Sequence, residues 1–168
     1  ILKISIVVLI VAAIAGGYFG WRKSTNDRSS GMLGAAMTIS QSPIVPAPTV
    51  PGAAQAPGTY PTDKARQEAA LPAFQDVAAK YPSTQAGLAA QYQAAGSLLL
   101  LERFAEAEKA FADVAARAGS SVYGPMAKMG RAAAFIGESK YDDAIKVLTD
   151  LSADRDGALP VDGVLNEL

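Results

Sequence analysis

The stretch RFAEAEKAF at residues 103–111 has the same pattern as KYDDAIKVL at residues 140–148. Each stretch begins with a basic residue and an aromatic residue, has Ala three positions after the aromatic, and ends on a large apolar residue four positions later. The two stretches lie 37 positions apart (140 minus 103). Self-similarity at a period of about 20–50 residues is typical of stacked repeat architectures. The pair therefore predicts a repeat protein.

A third copy of the pattern lies 37 positions before the first of these two. It includes AALPAFQDVAAKYP at residues 69–82, and Gln67, just before that stretch, takes the place of the aromatic residue. The three units share a small residue followed by two large apolar ones, and these positions are Ala70, Phe74 and Val77; Ala107, Phe111 and Val114; and Ala144, Leu148 and Leu151.

Side chains at these positions suggest how two antiparallel helices pack. Ala107 and Ala144 would allow the helices to approach closely, and the large residue one turn later would fill the remaining space. We expect Phe104 and Tyr141 to begin the second helix of each pair and to reach back onto the first. Because one pair cannot cover its own apolar faces, the pairs should stack side by side.

The region from residue 62 to residue 168 is predicted to be helical throughout, and no segment alternates as a strand would. Thr62 or Asp63 is the expected N-cap of its first helix, Pro72 should kink or restart that helix, and Pro82 should stop it. Further helices are expected at about 84–101, 104–118, 122–137 and 141–152, with another introduced by ALP at 158–160.

The N-terminal region is strongly apolar, since residues 4–20 contain no charge. Residues 1–23 are long enough as a helix to cross a bilayer, and Tyr18 and Trp21 stand where an aromatic belt would lie. We therefore predict a single transmembrane anchor in contact with lipid. A signal-peptide core and a buried helix of a soluble protein are the alternatives.

Two segments of different composition separate this anchor from the repeats. Residues 24–42 have a helix-compatible spacing of small and apolar residues and are predicted to form a juxtamembrane helix. Residues 43–61 hold six of the ten prolines and should be extended or irregular. This linker is either a disordered tether or an ordered loop laid across a partner subunit. The first residue is Ile, so we expect the chain to be a segment of a longer protein.

Composition argues against catalysis. The 168 residues include no His and no Cys, which removes the usual general base, the commonest metal ligand and thiolate chemistry. Asp142 with Asp143, and Asp154 with Asp156, are better interpreted as a helix start and a polar turn than as a cation site. The net charge of −1, with both signs interspersed, disfavours nucleic-acid binding. We expect no enzyme, no cofactor and no metal.

Residues 62–156 resemble the tetratricopeptide repeat family, which implies an α-solenoid. The family pattern of an aromatic residue, Ala, Phe and a later Pro is matched in part by each unit, at Ala70, Phe74 and Pro82 and at Phe104, Ala107 and Phe111. The period is 37 rather than the usual value of about 34. The Trp and Gly of the family are absent; Gln91 and Ala95 occupy their places in one unit, and Lys128 and Ala132 in the next.

The resemblance also implies a protein-binding groove on the first helix of each pair. Its inward positions carry no charge and are Ala89, Tyr92, Gly96, Leu99, Leu100, Met126, Met129, Ala133, Ile136 and Gly137. Such a trough suits an apolar helix or an extended hydrophobic segment, and methionine adapts to varied partners. The helix at 24–42 or one beginning near Leu159 could instead fill it.

An anchor followed by divergent repeats is similar to the ancillary subunit of the bacterial Sec translocon. That resemblance implies a single-pass protein of the bacterial inner membrane, with periplasmic repeats that assist a secretion channel or a periplasmic chaperone. An accessory structural subunit of a respiratory or photosynthetic membrane complex is the alternative, and a self-assembling scaffold is a third. In each case the partners would be membrane complexes and soluble proteins.

Overall fold

The computed structural model describes residues 2–49 and 54–153, and side chains in the first range are described from Ala15 onward. Six helices lie in these ranges: α1 at Leu2–Ser40, α2 at Asp63–Lys80, α3 at Gln85–Leu100, α4 at Phe104–Arg117, α5 at Tyr123–Gly137 and α6 at Tyr141–Ala153. Apart from one isolated bridge, the described residues contain no β-structure. The predicted all-α class is confirmed, and α3 to α6 agree with their expected bounds to within one residue.

The helices stack as successive antiparallel pairs. Each helix from α2 to α6 packs on its neighbours in the chain, and α1, α3 and α5 also lie side by side. We call α1, α3 and α5 the A helices and α2, α4 and α6 the B helices. The helix expected from 158–160 onward lies outside the described residues.

The three-unit register predicted from the sequence forms the core. All nine repeat positions are buried, and the most accessible of them, Leu151, is only 4% exposed. Ala70, Ala107 and Ala144 are at most 3% exposed, on helices that pack against their neighbours in the chain. The predicted packing register is therefore confirmed.

The turns inside the last two pairs also repeat at the 37-residue period. Glu102 and Ser139 have φ of 60° and 61°, the left-handed region that non-glycine residues rarely adopt. The amides of Arg103 and Lys140 donate to carbonyls five residues earlier, at 2.9 and 2.8 Å. This arrangement satisfies the end of the A helix and reverses the chain within three residues.

The aromatic residues Phe104 and Tyr141 begin α4 and α6 as expected, but their surroundings differ. Phe104 lies against Gly137 of α5, where the missing side chain leaves room for its ring. It therefore contacts the A helix that follows. Tyr141 is 59% exposed, and no described helix lies beyond α6 for it to contact.

Residues 24–40 continue the N-terminal helix without a break, so the two predicted segments at 1–23 and 24–42 form one helix. The C-terminal part of α1 packs on α2 and α3, with Ala36 2% exposed and Met32, Leu33 and Met37 against the same cluster. The predicted juxtamembrane helix therefore supplies the A helix of the first unit.

The proline-rich segment 43–61 connects this first pair by turning back on itself. The amide of Val45 donates to the Tyr60 carbonyl at 2.9 Å, and the amide of Tyr60 donates to the Pro43 carbonyl at 3.1 Å. The Arg66 guanidinium donates to the Ser42 carbonyl at 3.1 Å and joins the start of α2 to the end of α1. Of the extended and irregular forms expected for this linker, its described residues take the irregular one, as a closed loop, and residues 50–53 lie outside the description.

The predicted start of α2 is confirmed, whereas the predicted kink is not. The Thr62 hydroxyl accepts a hydrogen bond from the Ala65 amide at 3.1 Å, as an N-cap does. Pro72 lies inside a continuous helix. Because Pro72 and Glu68 are both exposed, water can reach the carbonyl of Glu68 that lacks a helical donor.

No helix in the part of the chain that the structure describes is long and apolar enough to cross a membrane. Residues 1–14, which make up more than half of the predicted span, lie where no side chains are described. Tyr18, Phe19 and Trp21 follow on α1 and are 52%, 65% and 66% exposed.

Candidate functional site

An open pocket of about 350 Å³ lies among α3, α5 and α6. None of its lining side chains carries a charge. They are Tyr92, Met126, Met129, Gly130, Ala132, Ala133, Ile136 and Leu148. The structure thus brings together five of the predicted groove residues, one from α3 and four from α5.

Tyr92 forms the rigid wall of this pocket. Its ring packs on Phe111 with centroids 5.7 Å apart, edge to face, and on Tyr123 at 5.6 Å. Burial raises the pKa of the Tyr92 hydroxyl, and the neighbouring Tyr123 raises it further. The ring is thereby held by contacts on two other helices, α4 and α5.

The opposite wall is flexible and apolar. Met126 and Met129 are partly buried on successive turns of α5, and Ile136 is 42% exposed at the rim. Unbranched methionine side chains change rotamer at little cost and fill irregular gaps. One rigid aromatic wall and one adaptable wall suit apolar side chains of varied shape.

The remaining predicted groove residues do not line this pocket. Ala89 is buried and Leu99 packs partly against the main core, whereas Leu100 is 60% exposed. Gly96 is partly exposed, and Gly137 lies against Phe104. Neither α1 nor any other described segment outside α3, α5 and α6 contributes to the lining, so the segment 24–42 does not fill the pocket.

Sequence reasoning missed three lining residues, Gly130, Ala132 and Leu148. Gly130 lies one turn after Met126, and its missing side chain leaves room for the ring of Phe111. Leu148 was assigned only to the core, although its counterpart Phe111 touches Tyr92 in the preceding unit. One 37-residue period later, Met129 corresponds to Tyr92 and Leu148 corresponds to Phe111. The same contact in the last unit would therefore have placed Leu148 beside Met129.

Charges lie around the pocket rather than in it. The Glu108 carboxylate accepts from the Arg131 guanidinium at 2.6 Å and joins α4 to α5. Arg131 also lies over the Phe135 ring at 5.2 Å. The ion pair holds α5 against α4, and the contact of Arg131 with Phe135 lies within α5.

A second, more polar cavity of about 450 Å³ lies between α1 and the start of α3. Tyr18, Trp21 and Arg22 line it on α1, and Ser83 and Thr84 line it on the other side. The Thr84 hydroxyl accepts from the Gly87 amide and donates to the Tyr81 carbonyl, both at 3.0 Å. The helix cap thus occupies the Thr84 hydroxyl.

The acidic residues weighed as a cation site are described only in part. Asp142 and Asp143 are exposed in the first turn of α6, as expected for a helix start. Among the described residues no group of three or more ligating side chains could hold a metal ion. Asp154 and Asp156 lie outside the described residues.

Paired helices stacked at a fixed period, with an uncharged pocket on their A helices, define a helical-repeat protein of the kind that binds other proteins. The family described as tetratricopeptide repeat-like domain matches residues 3–157, and the chain belongs to that family. Such repeat domains are typically non-catalytic scaffolds. No curated protein and no solved structure shows significant similarity to the chain.

Proposed function

We propose that this chain is a non-catalytic adaptor that binds an apolar helix or extended segment of another protein in the pocket among α3, α5 and α6. The observation that carries the proposal is the absence of any charged side chain from a lining that is open to solvent. An acidic peptide would lose its water there without gaining an ion pair. An apolar side chain would gain contact with Tyr92, Met126 and Met129.

Binding in this pocket alone should be weak. Burying one Leu or Phe side chain contributes about 1.5–3 kcal/mol, so two anchors contribute about 3–6 kcal/mol. Association costs about 4–15 kcal/mol in lost freedom of motion. The adaptor therefore requires either further contacts on the A helices or a high local concentration of its partner.

Attachment to a membrane would supply that local concentration, and we include it in the proposal. Its support is the uncharged sequence at 4–20 and the exposed aromatic residues at the end of that stretch. The resemblance to the Sec ancillary subunit favours a bacterial inner-membrane location with periplasmic repeats. A secretion channel or a periplasmic chaperone is then the partner we propose.

Orientation can be measured independently of binding, because the chain contains no Cys. Ser83 is exposed in the connection between α2 and α3. A Ser83→Cys variant should react with an impermeant maleimide in intact spheroplasts. Labelling that appears only after lysis would place the repeats on the cytoplasmic side.

The binding proposal is tested by a paired substitution at the rim, Met126→Asp with Ile136→Asp. We avoid Tyr92 because its packing on Phe111 would confuse loss of binding with loss of fold. The matched control is Ala79→Asp with Ala116→Asp, two exposed positions on the B helices. Each purified chain is used to capture proteins from solubilised native membranes.

The rim variant should lose a partner that wild type and control both retain, while its helical circular dichroism and melting temperature stay near those of the control. Retention of every partner by a folded rim variant would overturn the proposal. Capture of respiratory or photosynthetic subunits would replace the secretion channel as the partner. Capture of further copies of this chain alone would indicate a self-assembling scaffold.

A further inference from the structure

The N-terminal helix α1 is much longer than the other A helices. It contains 39 residues, whereas α3 and α5 contain 16 and 15. Its C-terminal part packs on α2 and α3, and its residues between 18 and 30 line a cavity of about 450 Å³ together with residues 83–86 at the start of α3. The cavity therefore lies in the corner between α1 and the connection that joins α2 to α3.

Arg22 is the one charged side chain among the described residues that line this cavity. It makes no hydrogen bond or ion pair with another described residue. Asp27, the acidic residue nearest to it in the sequence, is not among the described lining residues. A guanidinium without an acidic partner favours an anion, and its planar fork suits the oxygens of a phosphate.

The rest of the polar lining supplies hydroxyl and amide groups. Thr25, Asn26 and Ser30 supply them on α1, and Ser83 and Gln85 supply them on the opposite side. None of these five side chains makes a hydrogen bond with another described residue. Such groups can both donate to and accept from the hydroxyls of a polyol, and they can donate to ester oxygens.

Two aromatic residues form the apolar edge of the cavity. Tyr18 and Trp21 are 52% and 66% exposed, and their ring centroids lie 6.3 Å apart. They stand at the end of a sequence that contains no charge from residue 4 to residue 20. Exposed tyrosine and tryptophan in that position are typical of the boundary between a bilayer and water.

The spacing of these residues matches the thickness of a headgroup layer. Arg22 follows Tyr18 by four residues, which is about 6 Å along a helix at about 1.5 Å per residue. The headgroup layer on one side of a bilayer is about 5–8 Å thick. With the Tyr18 ring at the edge of the hydrocarbon, the Arg22 guanidinium therefore lies at the depth of the lipid phosphates.

We propose that this cavity binds the headgroup of an anionic phospholipid, with the phosphate on Arg22 and the headgroup hydroxyls on the polar lining. The inference rests on the membrane attachment proposed above and names a ligand for it. Because the cavity lies between α1 and the connection from α2 to α3, a bound lipid would hold the repeats against the membrane surface. The partner pocket among α3, α5 and α6 is a separate site.

Trp21 provides the measurement, because it is the only tryptophan in the chain and it lines the cavity. The full chain is reconstituted in phosphatidylcholine vesicles that contain increasing fractions of phosphatidylglycerol, whose headgroup carries a phosphate and free hydroxyls. The emission of Trp21 should change and reach saturation as the phosphatidylglycerol fraction rises. Flotation of the same vesicles measures membrane attachment separately.

Arg22→Gln and Lys23→Gln are a matched pair of variants. Both remove one positive charge at neighbouring exposed positions, but only Arg22 is among the described lining residues. Arg22→Gln should raise the half-saturating fraction at least about tenfold, as expected for the loss of charge-assisted hydrogen bonds. Lys23→Gln should raise it no more than about fivefold, the contribution of one basic residue near an anionic surface.

A second pair of variants fills the cavity without changing its charge. Ser83→Phe adds a ring at an exposed lining position, and it should abolish the saturable change in Trp21 emission. Ser120→Phe is the control, because Ser120 is exposed at the corresponding position one period later (83 plus 37) and is not among the described lining residues. Its response should equal that of wild type.

Three results would overturn the proposal, and each has a different meaning. Equal responses of Arg22→Gln and Lys23→Gln in vesicles that float would remove the headgroup site and leave membrane attachment standing. Failure of the wild-type chain to float with any vesicle would remove the attachment and the headgroup site together. Saturation of the Trp21 response by inorganic phosphate, in detergent without phospholipid, would assign the cavity to a soluble phosphate.

Discussion

The ring of Phe111 on α4 lies against Gly130 on α5, so closely that a β-carbon at position 130 would overlap the ring. The same ring packs edge to face on Tyr92 of α3. Phe111 thus contacts two lining residues of the pocket, Tyr92 and Gly130, and it is only 2% exposed.

Gly130→Ala should therefore destabilise the domain although alanine is the better helix former. The gain in helix propensity is about 0.8–1.0 kcal/mol, and overpacking a core costs about 1–3 kcal/mol. We expect a net loss of up to about 2 kcal/mol in the free energy of unfolding measured in urea. Gly96→Ala is the control, because a β-carbon there meets open space, and it should stabilise by about 1 kcal/mol. Stabilisation by both substitutions would refute the contact.

The register of the core is tested by one truncation and one enlargement. Phe111→Ala should cost about 3–5 kcal/mol, the usual loss for an aromatic core residue. Ala107→Leu should cost about 1–3 kcal/mol because Ala107 is 0% exposed at the helix crossing. Thermal melting followed by circular dichroism measures both. Unchanged melting in the two variants would mean that these positions are not at the helix crossing.

Ser139→Gly should stabilise the turn between α5 and α6. Ser139 has φ of 61°, a conformation that costs a non-glycine residue about 1–2 kcal/mol. Part of that gain is offset because glycine has more conformational entropy in the unfolded chain. We therefore expect a net gain of about 0.5–1 kcal/mol in the free energy of unfolding. Lys146→Gly, in the exposed interior of α6, should lose about 1 kcal/mol instead. A loss at both positions would show that Ser139 is not strained.

Stability should fall at high pH through Tyr92. Because its folded pKa is raised, mainly by burial, the folded state holds the proton more tightly than the unfolded state does. The contribution of the protonated Tyr92 hydroxyl to stability is fully present below the unfolded pKa of about 10. It is lost as the pH rises through the folded pKa. Urea unfolding at stepped pH should therefore show a steeper decline for wild type than for Tyr92→Phe. Equal slopes would contradict the burial of this hydroxyl.

The repeat core could be predicted from the sequence because its signal is periodic and local. Ala107 and Phe111 recur at one interval with their counterparts, and helices of fixed pitch convert that interval into one buried face. Tyr92, Met126 and Met129 were implied as groove residues by the resemblance to the tetratricopeptide repeat family. The direction of Phe104 could not be predicted, since it depends on the space left by Gly137 on another helix.

The N-terminal half has features that the local composition of the sequence does not predict. Proline content correctly indicates that 43–61 is irregular, but it does not indicate that Val45 and Tyr60 pair and close the loop. That closure depends on where α1 and α2 dock, which involves Arg66 reaching the Ser42 carbonyl. Composition also separated residues 1–23 from 24–42, whereas the backbone continues through both as one helix.

Photo-cross-linking from inside the pocket tests the central claim most directly. A photoreactive phenylalanine analogue placed at Met126 in the full chain should cross-link in native membranes to a different protein. The same analogue at Lys109, on the exposed side of α4, should not capture that protein. Cross-links from position 126 that fall only within this chain, or none at either position, would contradict the account that the pocket receives a partner.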